Sequence, residues 1–232
     1  MVNIDRVYQR VLVLTNKEQR GYITPQEFNL LANQAQMDIF EQYFYDLNQF
    51  RRLNGNNSKY ADMVDTLENK ISIFKYGPTS LSSSGINIST IPGTTGYEVY
   101  RLTDLNFNGK ILEEIRYEDY YKLQTPLTKP SSSRPVFWKK DGKIYWTPDD
   151  GAVGAHWIRK PVLANWTFTE VNGVAMLNNS QNSGYQDFEL HVSDEADLVI
   201  KILTLAGITI KDPNLYQIGT SEDNKDIQLQ KS

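Results

Sequence analysis

The sequence predicts an α+β fold: an N-terminal antiparallel helical bundle completed by a C-terminal helix, with an inserted small antiparallel β domain and extended arms. Three observations carry this expectation. Apolar residues recur at helical spacing from residue 3 to residue 76, large residues alternate around an Asp-Gly turn at 141–142, and a strongly apolar helical pattern returns after residue 188. The division that follows is a helical bundle over 1–78, a linker or arm over 79–96, a β domain over 97–172, a loop over 173–187, a returning helix over 188–210 and an extended tail over 211–232.

The first helix is expected over 3–17, with Ile4, Val7, Tyr8, Val11 and Leu14 on one face. A long helix follows within Gly21–Leu53, and its start is densely specified. Thr24 is the N-cap, Pro25 occupies the first helical position where a missing N–H costs nothing, and Glu27 can reach back to the cap amide. Ile23 and Phe28 have the spacing of a hydrophobic staple. Phe28, Leu31, Ala32, Ala35, Ile39, Tyr43 and Phe50 form one apolar row, and Gln36, Phe40, Phe44 and Leu47 form a second beside it. A third helix is expected over 58–76, carried by Tyr60, Met63, Val64, Leu67, Ile71 and Phe74 and ended by Gly77-Pro78.

From Thr79 to Gly96 the composition shifts to Ser, Thr, Gly and Ile, and the alternation of Ile86, Ile88 and Ile91 suits an arm added to a sheet or to a neighbouring subunit. Strands are expected at 97–102 and 110–116, a short helix at 117–123, and a hairpin over Val136–Trp146 around Asp141-Gly142. A further strand runs from Ala155 to Pro161. The polar, Asn-rich stretch 170–187 reads as a loop. Ser193 caps the returning helix, Asp194, Glu195 and Asp197 favour its N-terminal dipole, and Leu198, Val199, Ile202, Leu203 and Ala206 form its apolar face up to Gly207. In the tail, Ile227 and Leu229 have strand spacing.

Composition narrows the function. The 232 residues contain no cysteine and two histidines, which leaves neither a disulfide framework nor a thiolate metal site. The net charge of −4 argues against a dedicated nucleic-acid surface. No apolar run reaches twenty residues and Met1 is followed by Asn3, Asp5 and Arg6, so no membrane span or signal peptide is expected and the chain reads as made in a cytoplasm. Residues 16–28 overlay a calcium loop, with Gly21, Ile23 and Glu27 at the sixth, eighth and twelfth positions. Arg20 stands where an oxygen ligand belongs, and the overlay fails as a metal site. No phosphate-cradling loop, nucleophile elbow or metalloprotease motif is present. Glu113-Glu114 and Glu118-Asp119 read as solvated charge, because adjacent acids on a strand face opposite ways. The sequence therefore predicts no catalytic residues, no cofactor and no metal. Trp138, Trp146 and Trp157, interleaved with Lys139, Lys140, Arg159 and Lys160, form the one candidate docking surface, of a kind that a saccharide or single-stranded nucleic acid could use.

The run Arg134-Pro-Val-Phe-Trp-Lys-Lys-Asp-Gly-Lys-Ile-Tyr-Trp-Thr-Pro148, followed by Trp157-Ile-Arg-Lys-Pro161 and a returning acidic-started helix at Ser193, resembles head-to-tail connector (adaptor or collar ring) proteins of tailed bacteriophages. The stretch Gly21-Tyr-Ile-Thr-Pro-Gln-Glu-Phe-Asn-Leu-Leu-Ala-Asn-Gln-Ala-Gln, continuing through Phe40-Glu-Gln-Tyr-Phe-Tyr-Asp46, is similar to virion structural proteins of crAss-like and related short-tailed phages. The resemblance implies a non-enzymatic subunit of a homo-oligomeric ring, commonly of twelve copies, in the neck or tail of the virion. Its implied partners are the portal protein, other collar or tail ring or tail hub proteins, and genomic DNA passing through the lumen without sequence-specific binding; no membrane is implied. Phe40, Phe44, Leu47, Ile86, Ile88, Ile91, Ile227 and Leu229 are the expected subunit-interface residues. The alternatives are a carbohydrate- or receptor-binding virion module using the Trp-rich hairpin, and a calcium-regulated helical protein.

Overall fold

The computed structural model describes residues 1–17, 23–52, 58–91, 97–178, 180 and 184–210. The chain is mixed α+β, with five α-helices among these residues and sheets whose strands pair antiparallel in all but one case. It divides into two compact units, Met1–Ile73 together with the chain from Pro161, and Phe74–Lys160. The β unit is thus inserted into the helical unit.

In the helical unit, α1 spans Ile4–Lys17, α2 Pro25–Arg52 and α3 Ser58–Ser72. Asn3 caps α1 by accepting from the Arg6 amide at 3.0 Å. The start of α2 is the capping box read from the sequence. The Thr24 amide and hydroxyl donate to Glu27 Oε2 at 2.9 and 2.8 Å, and the Glu27 amide returns a bond to Thr24 Oγ1 at 3.3 Å. Glu27, the last ligand of the failed calcium overlay, is committed to this cap; residues 18–22 of that overlay lie outside the described residues. These bonds, the backbone one first, hold the Glu27 carboxyl below its ordinary 4.5.

The third helix is shorter than its apolar period predicts. It stops at Ser72, and Lys75–Leu81 is strand β1. Gly77-Pro78, read as a helix stop, lies inside that strand at an irregularity in its pairing. Phe74 is buried, but as the first residue of the β unit rather than the last turn of a helix. A helical period sustained by two buried residues, Leu67 and Ile71, cannot register where the backbone leaves the helix.

The β unit continues with β2 (Ile86–Asn87), β3 (Val99–Phe107), β4 (Lys110–Ile111), β5 (Glu113–Glu114), α4 (Tyr117–Lys122), β6 (Val136–Lys140), β7 (Lys143–Thr147) and β8 (Val153–Arg159). One sheet has the order β1-β8-β3-β4 and the other β2-β7-β6-β5. Leu102, Leu105 and Phe107 of β3 and Val153, Ala155 and Trp157 of β8 share one core with Phe137, Ile144 and Trp146 of β6 and β7. The expected strand at 110–116 is broken at buried Leu112. Its amide bonds Leu105, and the next residue joins β6 in the other sheet. The segment expected to be an arm from residue 79 is folded into this unit: Thr79–Leu81 pair with β8, Ile86 pairs with Ile144, and Ile91 is buried in the core.

After Pro161 the chain crosses α2 in an extended run held by side chains. Asn33 exchanges two bonds with the backbone of Ala164 (2.8 and 2.9 Å), and Asn29 does the same with Trp166 (2.9 and 3.1 Å). Gln36 donates to the Val162 carbonyl at 2.9 Å and accepts from the Glu189 amide at 3.2 Å. Asn29, Asn33 and Gln36 share a helix face, and 162, 164 and 166 share a strand face, so a helix provides the ladder that a neighbouring strand would otherwise give. Trp166 is fully buried; its ring lies 4.1 Å from that of Tyr8, and its indole N–H donates to Asp5.

The hairpin β9 (Phe168–Val171) and β10 (Val174–Leu177) follows, where the sequence reading has the end of the β domain and the start of a loop. Its turn is Asn172-Gly173, with φ of 53° and 78°. Helix α5 spans Glu195–Ile210, running through Gly207 rather than ending there, and contacts both α1 and α2. Ser193 belongs to a 3-10 turn at Val192–Asp194 that His191 caps. The two acids at the head of α5 tie the helical unit together. Asp194 accepts from Tyr43 of α2 and Lys70 of α3, each at 2.5 Å, while Glu195 pairs with Arg6 and Arg10 of α1 at 3.0 and 2.6 Å. Burial, then the bond to Asp194, drive the Tyr43 phenol far above its ordinary pKa.

Candidate functional site

Side chains that carry chemistry are dispersed and mostly occupied. Among the described residues no three His, Asp or Glu side chains are grouped to hold a metal ion. Glu113 is bound by Arg134 and Glu114 by Lys139, Asp119 is bound by Lys122, and His191 Nδ1 lies 2.8 Å from Ser193 Oγ. No helix among the described residues is long and apolar enough to cross a membrane.

The expected docking surface is not on the surface. Trp146 and Trp157 are core residues, 2% and 1% exposed, because hairpin and strand alternation turn them inward with Phe137 and Ala155. Trp138 points the other way and is still only 7% exposed. It is stacked between Tyr120 of α4 (4.1 Å) and Tyr145 of β7 (6.0 Å). Arg159 is buried, with its guanidinium 4.6 Å from the Tyr97 ring centre and 5.7 Å from that of Phe74. Lys139 and Lys160 are paired with Glu114 and Glu98. No free aromatic platform is left at these positions for a saccharide or base to stack on.

The expected interface residues divide. Phe40 is fully buried within the helical unit, while Phe44 and Leu47, further along the same row, are half-buried. Ile91 is a core residue of the β unit, and Ile86 and Ile88 pack partly buried against the same core. Phe40 and Ile91 are therefore already covered by their own chain. Ile227 and Leu229 lie outside the described residues.

Among the described residues of the helical unit, exposed apolar side chains gather at two places. The first is the β9–β10 hairpin, where cross-strand register puts Thr169, Val171, Val174 and Met176 on one face and Phe168, Glu170, Ala175 and Leu177 on the other. Val171, Val174 and Met176 are 47%, 62% and 54% exposed, and Glu170 is the only charged side chain in the ten residues. Among the described residues its base is pinned by the Thr167–Asn178 bonds and by Phe168 lying on Trp166 at 5.9 Å. A two-stranded hairpin of this kind is marginal alone in water. Asn-Gly flanked by Phe-Thr-Glu-Val and Val-Ala-Met-Leu is the signal that could have found it.

The second place is a groove of about 730 Å³ between α1 and α5. Val13, Leu14, Ala196, Val199 and Ile200 line it, with Arg6 and Arg10 among the polar residues around them. Leu14, expected to face the core, is 43% exposed here, and Val13 is 53% exposed. The core-facing position one step further along α1 goes to Thr15, which is buried because its hydroxyl donates to the Val11 carbonyl at 2.9 Å.

No protein-family model matches the chain, and no curated protein matches its sequence.

Proposed function

We propose that this chain is a virion structural protein, the ring-forming head-to-tail connector subunit of a tailed bacteriophage, with the helical unit, arranged as an antiparallel bundle, as ring body and the β unit as docking module. The observation that carries this reading is the pair of uncovered apolar features in the helical unit, a projecting hairpin and an open groove. A subunit whose surface is completed by its neighbours has this property, and a self-sufficient monomer rarely leaves so much apolar surface open. The resemblance in the runs 21–46, 134–148 and 157–161 points the same way. The partners are further copies of the chain, twelve in the expected ring, the portal protein, and other collar, tail ring or tail hub proteins. Genomic DNA passes through the lumen, where a net charge of −4 per chain avoids holding the phosphates. The chain is not an enzyme, and its place is the neck or tail of the particle, after synthesis in the host cytoplasm.

Native mass spectrometry and negative-stain imaging of the purified chain, alone and mixed with a candidate portal ring, test this. The expected result is a closed oligomer or a ring added to the portal. A strict monomer in both conditions overturns it.

A further inference from the structure

We infer that a hollow in the β1-β8-β3-β4 sheet, built around His156, is a binding site for a saccharide. The inference does not depend on ring assembly, and it gives the β unit a ligand class of its own.

The hollow is shaped by backbone. Both strands that flank β8 are irregular at the level of His156: Gly77 and Pro78 stand between the Tyr76–Trp157 and Thr79–Ala155 pairs, and Thr103 stands between the Leu102–Trp157 and Asp104–His156 pairs. Such bulges bend a strand and re-aim its side chains, and here two of them face one residue. Gly77, at φ 121°, comes so close to β8 that a Cβ there would lie 2.6 Å from the Ala155 carbonyl oxygen. Only glycine fits at that approach. The resulting concavity measures about 380 Å³, toward the small end of the roughly 300–1,000 Å³ of ligand pockets. Its lining residues run from Lys75 to Trp157, all within the β unit.

Five polar side chains line it: Lys75, Thr103, Asp104, Asn106 and His156. Elsewhere in the unit such groups are occupied, as Glu98 is by Lys160 and Glu114 by Lys139, whereas these five have no side-chain hydrogen bond or ion pair among the described residues. Asp104 and His156 are direct cross-strand partners, a placement that sets Cβ atoms roughly 5 Å apart, and they are still not bonded to each other. The mixture of groups selects the ligand. A bare anion is drawn to Lys75 but opposed by Asp104, and a bare cation meets the reverse. A compact zwitterion satisfies that pair and leaves the amide, hydroxyl and imidazole idle. A neutral polyhydroxyl ring uses them all: the carboxylate and amide oxygens accept from its hydroxyls, while the ammonium, amide and Thr103 hydroxyl donate to them. Tyr76 lines the hollow too, 45% exposed and with its ring centre 5.1 Å from that of Trp157. A held aromatic ring of this kind offers a flat wall to the C–H face of a sugar.

Amide NMR spectra of the isotope-labelled full chain, titrated with glucose, galactose, mannose, N-acetylglucosamine, lactose and maltose, test this. Free glycine and inorganic phosphate are titrated in parallel. The expected result is a saturable shift of the Gly77, Asp104, Asn106 and His156 amides with at least one sugar, and an affinity for it about ten-fold weaker in Asp104→Ala and in Asn106→Ala. Asp104 is exposed and Asn106 half-buried, and the same spectra report that each variant is folded. Trp138→Phe, in the other sheet, should leave the affinity unchanged. No saturable shift with any sugar overturns the inference, and so does an affinity that neither alanine variant lowers. Saturation by glycine or phosphate without any sugar rejects the saccharide class. Shifts confined to α4 and the β6–β7 hairpin place the sugar elsewhere and overturn the site. Sugar binding by a chain that forms no ring rejects the connector reading and keeps this one.

Discussion

At the scale of single residues, stability is concentrated where a short sequence signal coincides with burial. Thr24 and Glu27 were legible because a capping box is local, three residues apart and independent of the rest of the chain. Thr24→Ala should cost about 1 kcal/mol in urea unfolding. The Glu27 carboxyl is held below 4.5, so its contribution is complete above that pH and disappears as pH falls through the lower folded-state value. Glu27→Gln should accordingly flatten the acid limb of a pH-stability profile while leaving the alkaline limb unchanged. Asp194 was read as a favourable charge at a helix start, which is true but incomplete. Its partners are 151 residues away at Tyr43 and 124 away at Lys70, a distance no local pattern reports. Asp194→Ala leaves the Lys70 ammonium, with a side chain 19% exposed, without its carboxylate, and should cost about 3–5 kcal/mol. Asp194→Leu combined with Lys70→Met should cost less than the sum of the two single changes, measured by a double-mutant cycle.

At the scale of elements, the sequence located most helices and the central hairpin because both advertise themselves by period. It failed where a period is silent about endpoints or partners. The strand β1 was split between the end of an expected helix, its Gly77-Pro78 stop and the start of an expected arm, and the β9–β10 hairpin was hidden by the Asn-rich residues after it, although Asn172-Gly173 is a strong turn signal. Alternating large residues around Asp141-Gly142 identified the hairpin, but the reading grouped Trp138 with Trp146 and Trp157 on one exposed surface and could not reveal that Tyr120 and Tyr145 cover Trp138. The ladder of Asn29, Asn33 and Gln36 was also overlooked, because amides at helical spacing usually mark a solvated face. Here they bind an extended segment through six described bonds to residues 162–166. Asn33→Ala removes both groups that satisfy Ala164 and should cost about 1–3 kcal/mol. Hydrogen exchange at the Ala164 and Trp166 amides distinguishes this from a general loss of helix stability, since Asn33→Ala should raise exchange at Ala164 first. Among the candidate site residues, the uncovered ones were the least visible, because exposure depends on which neighbour fails to arrive.

At the scale of the whole chain, the insertion of the β unit governs how the helical unit is completed. The α+β class and the return of a C-terminal helix were legible from the excess apolar character of 198–206, which needs another surface. What the linear pattern did not show is how far apart the completing partners lie. Asn29 and Asn33 wait for residues 131–137 positions later, and Tyr43 waits for Asp194. On a ribosome, the first three helices therefore emerge without the segments that bury them, while the inserted unit finds its β partners within its own continuous stretch. Pulse-labelled hydrogen exchange during refolding should protect the amides of β3 and β8 before those of α2. The nascent chain carries the exposed apolar rows of α2 throughout that interval, so chaperone dependence during synthesis is built into the order of its segments.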